Sequence, residues 1–133
     1  MPNYKKKSEE NLSAADLLIN NNMYTSSVHC SYYAGLQFSK YVLANKCGIG
    51  YEDQEQNSKG KDSHYFVSDN TGRALDRMGE HIGFIDYNKF FNKLKKLRKK
   101  ADYSEELIKC NEAKKAYDYA DKLICLLKTK LAI

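Results

Sequence analysis

Apolar side chains in this chain recur every three or four positions, and no stretch alternates strictly between apolar and polar residues. A spacing of three and four keeps side chains on one face of an α-helix, whereas a half-buried strand needs a period of two. Val28, Tyr32, Leu36, Ser39 and Leu43 follow one another at four, four, three and four. At 1.5 Å per residue this stripe runs for roughly 23 Å. Phe90, Leu94, Leu97 and Ala101 form a second stripe, and Leu107, Ala113, Ala116, Ala120, Ile124, Leu127 and Leu131 a third. The pattern predicts an all-α protein: an antiparallel bundle of four main helices plus a short one. With 133 residues the expectation is a single domain over 1–133, large enough to bury about two-thirds of its unfolded surface.

Local signals set the expected boundaries. The first helix covers about Tyr4 to Asn20, with Leu12, Ala15 and Ile19 on one face, and Asn20-Asn21-Asn22 ends it because Asn favours turns and caps. Thr25 or Ser26 caps the second, which runs to about Lys46 before Gly48 and Gly50. Ile49 to about Asp62 reads as a polar loop, since Asp53 to Ser58 contains no apolar residue. A short helix from about His64 to His81 buries Val67, Ala74, Leu75 and Met78, and Gly79 and Gly83 close it. The next spans about Tyr87 to Ala101. Ser104 then caps the last, with Glu105 and Glu106 suited to its positive end, and this helix runs to about Leu131.

Charge and cysteines narrow the classes. The formal net charge is +5 and the sequence pI about 8.9, which permits an anionic partner without requiring one. Cys30, Cys47, Cys110 and Cys125 form no C-x-x-C pair and match no zinc spacing. They read as free thiols in a reducing cytoplasm, with Cys30 and Cys125 packed as small apolar residues. No bound metal or cofactor is expected. No apolar run approaches membrane-spanning length, and no apolar stretch of a signal peptide follows the basic Lys5-Lys6-Lys7. A soluble protein of the cytoplasm, with no membrane partner, is the expectation.

Two strings stand out. In Ser26-Ser27-Val28-His29-Cys30-Ser31-Tyr32-Tyr33-Ala34-Gly35, His29 and Tyr33 are four apart and share a helix face. The small Ala34 and Gly35 let another helix approach. In Leu97-Arg98-Lys99-Lys100-Ala101-Asp102-Tyr103, Arg98 and Asp102 are also four apart. This is either an intrahelical ion pair worth a few tenths of a kcal/mol or a guanidinium aimed into a cleft, where it would hold a phosphate. Seven basic residues lie between Tyr87 and Ala101, and Lys89, Lys93, Lys96 and Lys100 make a stripe. Such a run is either a solvated face or a field that attracts phosphates. Lys95 lies three residues before Arg98 and extends the same side. His64, and the Arg77/His81 pair, read as residues of helix ends rather than of a site.

The order Tyr32-Tyr33-Ala34, loop, Arg98-x-x-Ala101-Asp102-Tyr103, then a long helix carrying Ala113, Ala116 and Ala120 resembles the HEPN family (higher eukaryotes and prokaryotes nucleotide-binding domain), over about Asn11 to Leu131. The resemblance implies an all-α bundle that pairs as a homodimer. It implies either a metal-independent ribonuclease of toxin–antitoxin or phage-defence systems, or a binding module beside a nucleotidyltransferase or antitoxin partner. The family's nuclease motif is Arg, four to six residues, then His. Arg98 takes the Arg position, but Tyr103, Ser104 and Glu105 stand where the His belongs. The expectation is therefore RNA or nucleotide binding, or scaffolding, without ribonuclease activity, through Tyr33, Lys95, Arg98 and Tyr103. The alternative is an atypical ribonuclease with Arg98, His29 and Asp102 as catalytic groups. A third reading is a pure interaction module using Tyr24, Tyr32, Tyr33, Tyr41, Tyr117 and Tyr119.

Overall fold

The computed structural model describes residues 3–60 and 62–133. It is all-α, with six helices and no strand among the described residues: α1 Tyr4–Asn20, α2 Tyr24–Lys46, α3 Tyr51–Asn57, α4 Ser63–Arg77, α5 His81–Tyr103 and α6 Cys110–Lys130. None of them is long and apolar enough to cross a membrane.

The α2 stripe organises the rest. Val28, Tyr32, Leu36, Ser39 and Leu43 are all fully buried, and α2 packs against every other helix. Small residues make this possible. Ser8 on α1 donates to the Ala34 carbonyl at 2.7 Å, and Ser27 donates to Ala15 at 2.9 Å, so α1 lies close along α2. Gly35 faces Leu94 of α5 and Leu123 of α6. Between α1 and α2, Asn22 takes a left-handed backbone with φ of 61°, the conformation Asn tolerates in turns.

Several boundaries differ from the sequence reading, each for a physical reason. The expected polar loop contains helix α3. Its anchor is Gln54, buried in spite of its polarity, whose Nε2 donates to the carbonyls of Lys40 at 3.1 Å and Ile49 at 2.9 Å. Glu52 and Asp53 in its first turn suit the helix dipole. Helix α4 ends at Arg77 because Gly79 adopts φ of 82°, which leaves Met78 exposed rather than inward. Gly83 does not terminate α4; it is buried in the first turn of α5. Helix α5 starts at His81, six residues before the expected Tyr87, and its opening turns expose Ile82 and Ile85.

The last connection also differs. Ser104 does not cap α6; it is the extended residue after α5, and its Oγ accepts from the Glu106 N–H. Helix α6 begins at Cys110, where Glu112 accepts from the Lys109 N–H at 3.0 Å. That is the half of a capping box open to a lysine, which has no acceptor. Ile108, not Leu107, anchors the loop: Ile108 is buried and Leu107 is 83% exposed. Cys30 is half-buried, whereas Cys125 is exposed rather than packed.

Candidate functional site

Three helices contribute to one polar face. Helix α2 brings His29, Tyr32 and Tyr33, the start of α4 brings Asp62 and His64, and the last turns of α5 bring Lys95, Arg98, Asp102 and Tyr103. Arg98 is the hub. Its guanidinium lies over the rings of Tyr32, Tyr33 and Tyr103 at 5.3, 5.9 and 5.6 Å, distances at which a ring face attracts a cation. Its Nε is buried, 2.8 Å from Asp102 Oδ2 but poorly aligned for a hydrogen bond. The side chain is 16% exposed, so this is not an ordinary surface pair. Burial works against the charge, yet Tyr33, Tyr103, Asp102 and Tyr32 raise its pKa further, and Arg98 remains a cation at any ordinary pH.

Asp102 has a second neighbour. Its Oδ1 lies 3.5 Å from His29 Nδ1, and the His29 ring packs at 4.7 Å on Tyr33. One carboxylate thus bridges a guanidinium and an imidazole. The expected sharing of a face by His29 and Tyr33, and by Arg98 and Asp102, meets here across two helices. Lys95 sits at the edge, where its Nζ is 3.4 Å from Asp62.

His64, read from sequence as a helix-end residue, belongs to the same face. It is both: Asp62 caps α4 by accepting from the His64 and Tyr65 N–H groups at 3.0 and 3.2 Å, and this cap fixes where the ring starts. His64 Nδ1 then lies 2.9 Å from the Tyr32 hydroxyl. Its ring also meets Tyr33 edge-on at 5.8 Å. Burial lowers its pKa, Arg98 lowers it further, Asp62 acts in the opposite sense, and Lys40 and Lys95 add to the lowering. The ring is therefore neutral near neutral pH. Burial pushes the Tyr32 phenol well up against the pull of Arg98, so it keeps its proton. For Asp62, burial opposes ionisation, but the Tyr65 N–H and Lys95 outweigh it and hold the carboxyl below its usual range.

Sequence reading overlooked Tyr32, Asp62 and His64 as members of this site. The one available signal was Asp62-Ser63-His64, a cap residue two positions before an imidazole. Which helix that imidazole would face is a tertiary fact. The basic stripe on α5 is solvated at Lys89, Lys93 and Lys96, and Lys93 lies over the Tyr119 ring at 5.4 Å. Lys100 is not a free cation: Glu112 of α6 binds it at 2.8 Å and Glu106 at 3.4 Å. The tyrosines offered for a partner surface are mostly committed elsewhere. Tyr32 is fully buried, and Tyr24, Tyr33, Tyr41, Tyr117 and Tyr119 pack against the core. A concavity of about 470 Å³ lies beside the site, lined by Tyr4, Lys40, Tyr51, Gln54, Ser63 and Val67 among others.

No protein-family model, no curated protein and no solved structure matches this chain.

Proposed function

We propose that the Arg98 face holds a phosphate of RNA or of a nucleotide, in a HEPN-like protein that works as a homodimer. One observation carries the reading. Arg98 is fixed by three aromatic rings and a carboxylate, while its terminal nitrogens bond no acceptor among the described residues. A guanidinium oriented in this way presents two parallel donors to a phosphate at little further entropic cost. Lys95 beside it and the solvated Lys96 and Lys99 add sequence-independent attraction. The exposed Tyr103 supplies an aromatic surface on which a base stacks.

In this reading α1, α2, α5 and α6 form the antiparallel four-helix bundle of the resemblance, with α3 and α4 as additions. The four unpaired cysteines fit a reducing, cytoplasmic setting. A nucleotidyltransferase or antitoxin is the kind of protein partner the resemblance implies. Scaffolding keeps an observation of its own: Ile82 is 74% exposed, with Ile85 and Met78 exposed near it, and clustered apolar surface marks protein contact.

The test is binding of a single-stranded RNA by the wild type and by Arg98→Ala across a salt series. Affinity should fall about tenfold or more, as for a hydrogen-bonded charge, and the salt slope should become shallower by about 0.7 for each phosphate no longer neutralised. Equal affinity for both proteins would remove Arg98 from the interface. Absence of RNA binding in the wild type, with a protein copurifying, would favour the scaffold.

A further inference from the structure

We propose that the cavity enclosed by α1, α2, α3 and α4 binds a small zwitterion: a free α-amino acid with a large apolar or aromatic side chain. The site opens beside the Arg98 face, uses none of its residues and does not depend on the RNA reading. At about 470 Å³ the cavity falls within the roughly 300–1,000 Å³ that small-molecule sites span.

Lys40 of α2 and Lys7 of α1 form the cationic side. Their ammonium groups lie over the same Tyr4 ring, at 5.1 and 5.4 Å. A ring face attracts each cation but does nothing to cancel their mutual repulsion. Neither ammonium meets a carboxylate at salt-bridge distance among the described residues. Burial lowers the Lys40 pKa, and Lys7 lowers it further. An anion placed beside the pair opposes both effects.

The other side is rich in acceptors. Glu52 and Glu55, three apart on α3, line the cavity and share a helix face. They too lack an ion partner among the described residues: Lys40 does not reach them, nor does Lys59, which borders the adjoining hollow. Gln54, only 5% exposed, gives both Nε2 protons to backbone, to the Lys40 and Ile49 carbonyls at 3.1 and 2.9 Å. Those two bonds fix which way the amide points. They leave Oε1 as the acceptor that Gln54 offers to the cavity it lines. Val67 and the Tyr51 ring, which leans on Tyr4 at 4.9 Å, supply apolar wall.

One cavity thus carries unpaired charges of both signs that do not reach each other. A plain anion satisfies Lys40 and is repelled by the glutamates, and a plain amine does the reverse. An α-amino acid serves both. Its carboxylate accepts from Lys40, while its ammonium donates to Gln54 Oε1 and to a glutamate. Its side chain lies against Tyr51 and Val67, taking apolar surface out of water.

The test is isothermal titration calorimetry of the full chain with L-phenylalanine, beside two analogues that each lack one charge, 3-phenylpropionate and 2-phenylethylamine. L-Phenylalanine should bind, and each analogue should bind about tenfold or more weakly, as expected for the loss of one charged hydrogen bond. Lys40→Met keeps an apolar stem; it should weaken L-phenylalanine about tenfold and leave 2-phenylethylamine within about twofold of wild type. Glu55→Gln alters an exposed side chain, so it tests the site even where Lys40→Met fails to fold. It should weaken L-phenylalanine and spare 3-phenylpropionate. No heat from L-phenylalanine, L-tryptophan or L-leucine at about 10 mM, enough to fill a millimolar site, would overturn the proposal. So would either analogue binding as tightly as L-phenylalanine, or unchanged L-phenylalanine affinity in Glu55→Gln and in a folded Lys40→Met.

Discussion

Tyr32 and Tyr87 are the two largest fully buried side chains among the described residues, and burial pushes both phenols well up. Their rings meet through Phe91, which lies 5.6 Å from Tyr32 and 6.0 Å from Tyr87. They differ in what their hydroxyls meet. Ser39 Oγ lies 2.7 Å from the Tyr87 oxygen and donates its own proton to the Gly35 carbonyl at 2.9 Å. Tyr87 must therefore donate to Ser39, and that bond is closed inside the core. The Tyr32 hydroxyl ends instead on His64, a group that takes and releases protons and borders Arg98. Equal burial thus serves two purposes: one tyrosine completes the core, and the other joins the core to a titratable surface. A buried hydroxyl always needs a partner; whether that partner titrates decides whether the bond can carry chemistry.

The two tyrosines can be told apart at several strengths of perturbation. The largest effect is removal of either ring. Tyr87→Ala and Tyr32→Ala should each cost about 3–5 kcal/mol in denaturant unfolding, as large aromatic truncations in cores do. A destabilisation below about 1 kcal/mol for Tyr32→Ala would show that its ring is not structural. The hydroxyls come next. Tyr87→Phe should cost about 1 kcal/mol, the same at every pH from about 5 to 8, because neither a phenol nor a serine hydroxyl titrates there. It should leave RNA affinity unchanged.

The smallest effect separates the two sites by pH. The folded pKa of His64 lies below its unfolded value of about 6.5. Between those values the unfolded chain holds a proton that the folded chain does not. The stability His64 contributes is thus present above about pH 6.5 and is lost as pH falls through the lowered folded pKa. His64→Gln should flatten this limb of a stability–pH curve relative to wild type, and Tyr87→Phe should leave it in place. A limb unaffected by His64→Gln would mean that the imidazole is not held neutral by its surroundings.

Much of this is legible along the chain. The α1 bounds and the α2 core stripe follow from period and Asn punctuation, which act within a few residues. His29 with Tyr33, and Arg98 with Asp102, are legible as pairs because a helix puts residues four apart on one face. Sequence and structure part where distant groups decide the outcome. Gln54 makes a helix of a polar segment because the Lys40 carbonyl is there to accept from it. Ile108 replaces Leu107 in the core because α6 starts at Cys110, where Glu112 accepts from the Lys109 N–H, and not after Ser104. Lys100 is withdrawn from the free cations of the stripe by Glu112, twelve residues on.

The sequence by itself determined the all-α class, most of the apolar faces and an Arg98-centred pair of polar strings, since spacing, propensity and capping are local quantities. Only the tertiary structure decided that Asp102 reaches His29, that three tyrosines enclose Arg98, and that His64 ends on Tyr32. Except for Tyr103, which follows Arg98 on α5, these partners come from different helices, far apart along the chain. Packing α2, α4 and α5 around a shared core, rather than any local preference, brings them within reach of one another.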